Sequence, residues 1–274
     1  MRLRTLTWAG VMIAAAACQK RVPPAGPNVV TITATDFAFG APDTIPAGLT
    51  TFVMVNQGQE PHQVVIQGAA GKTFEELEAG MMAEGPIPEW VRFPGGPGVA
   101  IGGDSSNATS DLAPGNYMLV CYISSPDGKM HVMKGMARRL VVAPAAAGAP
   151  ARTEPKADVV VTLSDYAFAF STPLTAGPHT IRVDNQGPQL HEISMIQLAP
   201  GKTFADMAAW EQGGRKGEPP ARPVGGFIGP NVGSHGYFTV TLTPGNYALV
   251  CFVPDAQDGK PHLMHGMMQE IAVS

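Results

Sequence analysis

The chain has 274 residues, of which 15% are charged, with 32 glycines, 26 prolines and a formal net charge of -4. That length accommodates two ordinary domains with real cores. Sparse charge with plentiful glycine and proline excludes a coiled coil and fits loop-rich β-structure, while the lack of a basic stripe to neutralise phosphates excludes nucleic acid as a partner.

Residues 1–18 read as an export signal: Arg2 and Arg4, then an apolar run from Val11 to Ala17. The run is too short to span a bilayer. It ends in Ala15-Ala16-Ala17-Cys18, which resembles a bacterial lipoprotein signal, with alanine where leucine is usual. That resemblance implies lipidation of Cys18 as the new N-terminus. Gln19 behind it implies release from the inner membrane, hence a place in the periplasm or cell envelope on an outer-membrane lipid anchor.

Residues 19–27 form a tether. Val29 to Thr35 then alternates as a half-buried strand does. Pro46-Ala47-Gly48 turns into a strand over Thr50 to Asn56, and Asn56-Gln57-Gly58 breaks it before Pro61-His62 opens another, Gln63 to Gln67. Thr73-Phe74-Glu75-Glu76 is a capping-box pattern that predicts a helix of two or three turns. Gly85 to Gly103 reads as irregular. Pro114-Gly115-Asn116 turns into the strand that ends at Cys121, and Arg138 to Val142 closes the unit.

Residues 144–157 are a linker rich in alanine and proline, after which the pattern recurs. Asp165-Tyr166-Ala167-Phe168 matches Asp36-Phe37-Ala38-Phe39, and Asn185-Gln186-Gly187 matches Asn56-Gln57-Gly58. Gly201-Lys202-Thr203-Phe204 repeats Gly71-Lys72-Thr73-Phe74, and Pro244-Gly245-Asn246-Tyr247 repeats Pro114-Gly115-Asn116-Tyr117. The offset stays between 129 and 131 residues, so residues 28–143 and 158–274 are duplicated domains, not short solenoid units. Many short strands separated by turns predict an all-β fold of two tandem β-sandwiches, each with a short inserted helix.

Each copy carries one cysteine at a strand end, a histidine beyond a Pro/Asp/Gly loop, a methionine five positions after it, and a second histidine upstream. These are His62, Cys121, His131 and Met136, then His191, Cys251, His262 and Met267. A soft thiolate, imidazoles and a thioether suit copper. A lone cysteine is ordinarily a small buried hydrophobe and methionine is common core filler, but the duplicated set argues against both readings. An exported protein usually pairs its thiols, so pairing of Cys121 with Cys251 is the competing account. His179, His235 and His265 align with Thr50, Ser105 and Lys134 and are expected at the surface; Glu60 aligns with Gln189.

Asn56-Gln57-Gly58-Gln59-Glu60-Pro61-His62, closed by Cys121, His131 and Met136, resembles the cupredoxin (blue copper) family, to which plastocyanin and azurin belong. The resemblance covers both repeats. It implies a Greek-key sandwich in each, one type 1-like copper per domain, two imidazoles and a thiolate as ligands, and an axial methionine. It also implies electron transfer with a redox partner protein. Apolar neighbours of the second histidine (Met130, Val132 and Met133; Pro261, Leu263 and Met264) would form the docking patch. One departure stands out: nine residues separate Cys121 from His131, and ten separate Cys251 from His262, where well-known cupredoxins have only a few.

Multicopper oxidases and copper nitrite reductases place a histidine beside the thiolate. Here Val120 and Tyr122, and Val250 and Phe252, flank the cysteines, and no His-x-His pair occurs. Catalysis is therefore not expected. Two alternatives to electron transfer stay open: copper handling or storage without redox turnover, and a metal-free binding sandwich.

Overall fold

The computed structural model describes residues 25–83 and 85–274; the expected signal, Cys18 and most of the tether lie outside the described residues. The first half runs β1 (Asn28–Thr35), β2 (Ala38–Gly40), β3 (Thr44–Pro46), β4 (Gly48–Asn56), β5 (Val65–Gly68), α1 (Phe74–Met82), β6 (Gly96–Pro97), β7 (Ser105–Leu112), β8 (Gly115–Val120) and β9 (Ala137–Ala143). The second runs β10 (Val159–Ser164), β11 (Ala167–Phe170), β12 (Gly177–Asn185), β13 (Ile193–Leu198), α2 (Phe204–Gln212), β14 (Ala221–Ile228), β15 (His235–Leu242), β16 (Gly245–Val250) and β17 (Met268–Val273).

In each half two sheets face one another. The first half pairs β2-β1-β4-β7 against β3-β9-β8-β5, and the second pairs β11-β10-β12-β15 against β17-β16-β13-β14. β1 runs parallel to β4, and β10 to β12, so the chain crosses between sheets as Greek-key connections do. Among the described residues the fold is all-β with two short α-helices, as the residue pattern predicts.

Period-two alternation explains the cores. Val30, Ile32 and Ala34 point inward from β1, as do Val159, Val161 and Leu163 from β10. Cys121 and Met136 belong to the first core, Cys251 and Met267 to the second. The helices start where their caps dictate. The Thr73 side chain accepts from the Glu76 amide while Glu76 accepts from the Thr73 amide, and Thr203 and Asp206 repeat the exchange. Among the described residues no helix is long and apolar enough to cross a membrane.

The halves share their sheets. β7 meets β15 at Thr109 and Tyr237, and β6 pairs with β14 at Phe227 and Ile228. Ala108 of the first half lies in the second half's core. The fully buried Phe227 fits where Gly95 and Gly236 leave room, since a Cβ at either glycine would overlap its ring. The connecting residues are anchored too: Glu154 accepts from the Tyr237 hydroxyl at 2.6 Å and from Nε2 of His235 at 2.8 Å.

Candidate metal centres

Three short pieces of chain converge at one end of each sandwich. The first is the turn after β4. Asn56 is buried, and its Nδ2 donates to the carbonyls of Glu60 at 2.8 Å and Ala100 at 2.9 Å, while its Oδ1 accepts from the Gly58 amide at 2.8 Å. These bonds close the turn and aim His62 inward. Asn185 does the same with Gln189, Pro230 and Gly187. Glycine is required here by close approach: a Cβ on Gly58 would overlap Asp36 and lie 2.9 Å from Nε2 of His62, and one on Gly187 would overlap the His191 ring.

The long loop after each cysteine folds back on itself. Ser124 bridges to Met130, and Pro254 to Pro261. The His131 amide then donates to the Ile123 carbonyl at 2.8 Å and the Val132 amide to the Cys121 carbonyl at 2.9 Å. A 3-10 turn, His131–Lys134, begins at the second histidine and ends at Gly135 with φ 99°; His262–His265 ends at Gly266 with φ 97°. The left-handed glycine returns the chain so that the Cys121 amide meets the Met136 carbonyl at 3.2 Å, and Cys251 meets Met267 likewise at 3.2 Å. The extra loop length is absorbed as a hairpin, at little closure cost.

The structure thus brings His62, Cys121 and His131 together, all fully buried. Sγ of Cys121 lies 3.4 Å from Nδ1 of His131 and 4.0 Å from Nδ1 of His62, and the two Nδ1 atoms are 3.1 Å apart. In the second half Sγ of Cys251 lies 3.3 Å from Nδ1 of His262, which is 3.0 Å from Nδ1 of His191. The donor atoms of each trio fall within 4.8 Å of one another. Met136 and Met267 are fully buried in the same cores. Cys121 and Cys251 are both free, which removes the disulfide account.

Carboxylates outside the trios define the imidazoles. Nε2 of His62 donates to Oδ1 of Asp36 at 3.0 Å and Nε2 of His131 to Oε2 of Glu60 at 3.0 Å. Nε2 of His191 donates to Oδ1 of Asp165 at 2.6 Å. Burial lowers the pKa of His62 against the opposing hydrogen bond from Asp36, and burial likewise lowers those of His191 and His262. Burial thus favours the neutral form of His62, His191 and His262, the form a metal needs. With the proton held at Nε2, the two Nδ1 atoms of the first half are bare lone pairs facing each other at 3.1 Å beside a thiol. Two acceptors with no hydrogen between them repel, and a cation among them removes the conflict. Burial pushes the Cys121 thiol up to about 11, and burial with the Glu192 carboxylate pushes Cys251 up. A soft ion that displaces the thiol proton fits this donor set, and copper is that ion.

Asp36, Asp165, Asp255 and Glu192 are site residues the sequence reading does not single out. The first pair is visible in the sequence only as a repeated Asp-aromatic-Ala-Phe. Glu192 is buried next to His191. Its amide donates to Sγ of Cys251 at 3.4 Å, its carboxylate accepts from the Phe252 amide at 3.1 Å, and burial raises its pKa to about 7. A further trio, Asp255, Asp258 and His265, is a structural clamp. His265 bonds Asp258 at 3.2 Å and stacks on Tyr166, as Lys134 bonds Asp127 at 3.0 Å and lies over Phe37. His179, expected at the surface, is 9% exposed and bonds Asp158 and the Thr175 carbonyl. The expected docking neighbours Met130, Met133 and Met264 are exposed.

No family model matches the sequence, and no curated protein matches it. Among solved structures, auracyanin A of Chloroflexus aurantiacus, a "blue" copper protein, is 21% identical, with 43% of this chain and 99% of that one aligned and a TM-score of 0.31. A Cu-containing nitrite reductase from Thermus scotoductus is 14% identical over 91% of this chain and 62% of its own, TM-score 0.27. A blue copper oxidase from Nitrosomonas europaea is 15% identical over 89% of this chain and 85% of its own, TM-score 0.25. Strand order and the paired His/Cys/His trios, described above, define a cupredoxin-like protein.

The expectation that the chain is no enzyme does not stand: a nitrite reductase and an oxidase, both enzymes, are among the proteins it is similar to. The physical reason is that the flanking residues Val120, Tyr122, Val250 and Phe252 bear on only one wiring, through the thiolate's chain neighbours. They leave reaction at other positions open.

Proposed function

We propose that the chain is an exported, lipid-anchored copper protein with two type 1-like centres that passes electrons to and from a redox partner protein in the periplasm or cell envelope. His62, Cys121 and His131 would hold one ion and His191, Cys251 and His262 the other, with Met136 and Met267 as the buried thioethers. Bound copper supplies a one-electron couple. The chain's own residues bury the donors, tie Nε2 of His62, His131 and His191 to carboxylates, and keep water out. Because turns and sheet ends fix all the donors, little has to move when the charge changes.

The observation that carries this reading is the pair of Nδ1 atoms beside a buried thiol, 3.1 Å apart in the first half and 3.0 Å apart in the second. Its test is absorption after loading with Cu(II). A thiolate-to-copper charge-transfer band is expected, with Cys121→Ser and Cys251→Ser each removing one centre's share and the double variant removing all of it. Loading without any band sensitive to these variants would reject the proposal. Exposed Met130, Met133 and Met264 beside the centres favour a second reading, exchange of Cu(I). Tight Cu(I) binding without a reversible couple in voltammetry would select it.

A further inference from the structure

The two centres are near-copies, but the carboxylate that faces the second imidazole comes from different loops. In the first half it is Glu60, from the turn before His62, at 3.0 Å from Nε2 of His131. Ser125, four residues past Cys121, is buried with its hydroxyl unpartnered. Phe37 sets its ring edge-on to His131, centroids 5.1 Å apart.

In the second half all three positions differ together. Gln189 stands in the place of Glu60, Asp255 in the place of Ser125, and Tyr166 in the place of Phe37. The turn backbone is bonded in the same way in both halves, around one extra residue in the second. The Ser125 amide donates to the Lys129 carbonyl at 2.9 Å and the Gly128 amide to the Ser125 carbonyl at 2.9 Å; Asp255 and Lys260, then Gly259 and Asp255, repeat these bonds at 2.8 and 2.9 Å. The Asp255 carboxylate sits 3.8 Å from Nε2 of His262, a buried nitrogen with no hydrogen-bond partner. It is held there by the Tyr166 hydroxyl at 2.6 Å and the Gln189 amide at 2.9 Å. Phe37 lacks that hydroxyl, and Glu60 lacks that donor. Each half therefore sets a carboxylate from one of these two loops near this imidazole, and the second half adds the hydroxyl and the amide that hold Asp255.

We propose that Glu60 and Asp255 are equivalent positioning residues, each anchoring the outer face of the second imidazole, and that Phe37, Glu60 and Ser125 exchange as a set for Tyr166, Gln189 and Asp255. The inference rests on the reading of both trios as copper centres. A carboxylate on the outer N–H keeps the proton at Nε2, points the Nδ1 lone pair at the thiol and makes the ring a stronger donor. Its negative charge also favours the more positive state of a bound ion.

The test uses the full chain carrying Cys251→Ser, so that only the first centre reports, with copper content measured beside the midpoint potential. Adding Glu60→Gln keeps an acceptor but removes the charge. It is expected to shift the couple toward Cu(I) by about tenfold or more, a rise of about 59 mV. Adding Phe37→Tyr and Ser125→Asp to Glu60→Gln installs the second half's set and is expected to bring the potential back toward the parent. An unmoved potential in Glu60→Gln, or a triple variant no closer to the parent than the single one, would overturn the proposal. If Glu60→Gln loses copper instead, recovery of copper in the triple variant supports the exchange and continued loss overturns it. A Cys251→Ser parent that binds no copper would be a failure of the copper reading itself, and is seen before any second-loop variant is made.

Discussion

A histidine has two ring nitrogens, and what the outer one holds decides what the inner one offers. Asp36 and Asp165 hold the outer nitrogens of the first histidines, and their own placement depends on the glycine two residues past each buried asparagine. Gly58→Ala would drive a methyl into Asp36 and the His62 ring. The expected outcome is loss of copper from the first centre alone, with Cys251 still giving its absorption band; retention of both centres would show that the ring can shift without cost. The thiols make a second residue-scale prediction. Cys121 and Cys251 are fully buried, and burial raises both pKa values. In a Cys18→Ser chain free of metal, a thiol reagent at neutral pH should find almost no reactive group until denaturant is added, and then two.

The six histidine and cysteine candidates are legible in the sequence because both types are scarce and recur at nearly one offset, whereas Met136 and Met267 stand out among 14 methionines only by lying five positions after a histidine. The carboxylates around them are not. Glu60 has no counterpart at Gln189, and its partner anion Asp255 sits on another loop, so alignment of the repeats hides the relation that the fold reveals.

At the scale of elements, strands with apolar alternation such as β1, β4 and β10 can be read directly, and so can the capped helices. β7 and its neighbours cannot. The buried positions of Ser105–Leu112 include Ser106 and Ser110 on one face and Thr109 on the other, so no hydrophobic period marks the strand. It tolerates them because each hydroxyl finds a partner: Ser106 with Gly98, Ser110 with Gly95, Thr109 with Thr51. The region Gly85 to Gly103 reads as irregular for a related reason, since β6 is two residues long and is completed by β14 from the other half. The turn after β12 depends on Asn185 in the same local way as the one after β4. Asn185→Ala removes two donated bonds and one accepted bond in a buried site. It should cost about 1–3 kcal/mol in denaturant unfolding and loosen copper at the second centre more than at the first.

For the molecule as a whole, the sheets that join the halves make the duplication more than two beads on a string. Phe227 is the residue that spans the joint, fully buried beside Gly95 and Gly236. Phe227→Ala should cost about 3–5 kcal/mol, read as a lower denaturant midpoint. His179 adds a pH dependence. Burial pulls its pKa down, but the Thr175 carbonyl and the Asp158 carboxylate outweigh that and hold it above the ordinary imidazole value. A raised folded pKa means the charged ring stabilises the fold fully below about pH 6.5. That contribution disappears as pH rises through the folded value. The melting temperature of the parent should fall across that interval relative to His179→Gln, and parallel curves would remove His179 as the cause.

The most direct measurement is anomalous X-ray scattering at the copper edge from crystals of the copper-loaded protein. Two peaks are expected, one among Nδ1 of His62, Nδ1 of His131 and Sγ of Cys121, the other among Nδ1 of His191, Nδ1 of His262 and Sγ of Cys251, each about 2.0–2.3 Å from those atoms by analogy with metal–nitrogen and metal–sulfur bonds. Copper elsewhere on the chain, with both trios lacking a peak, would contradict the account.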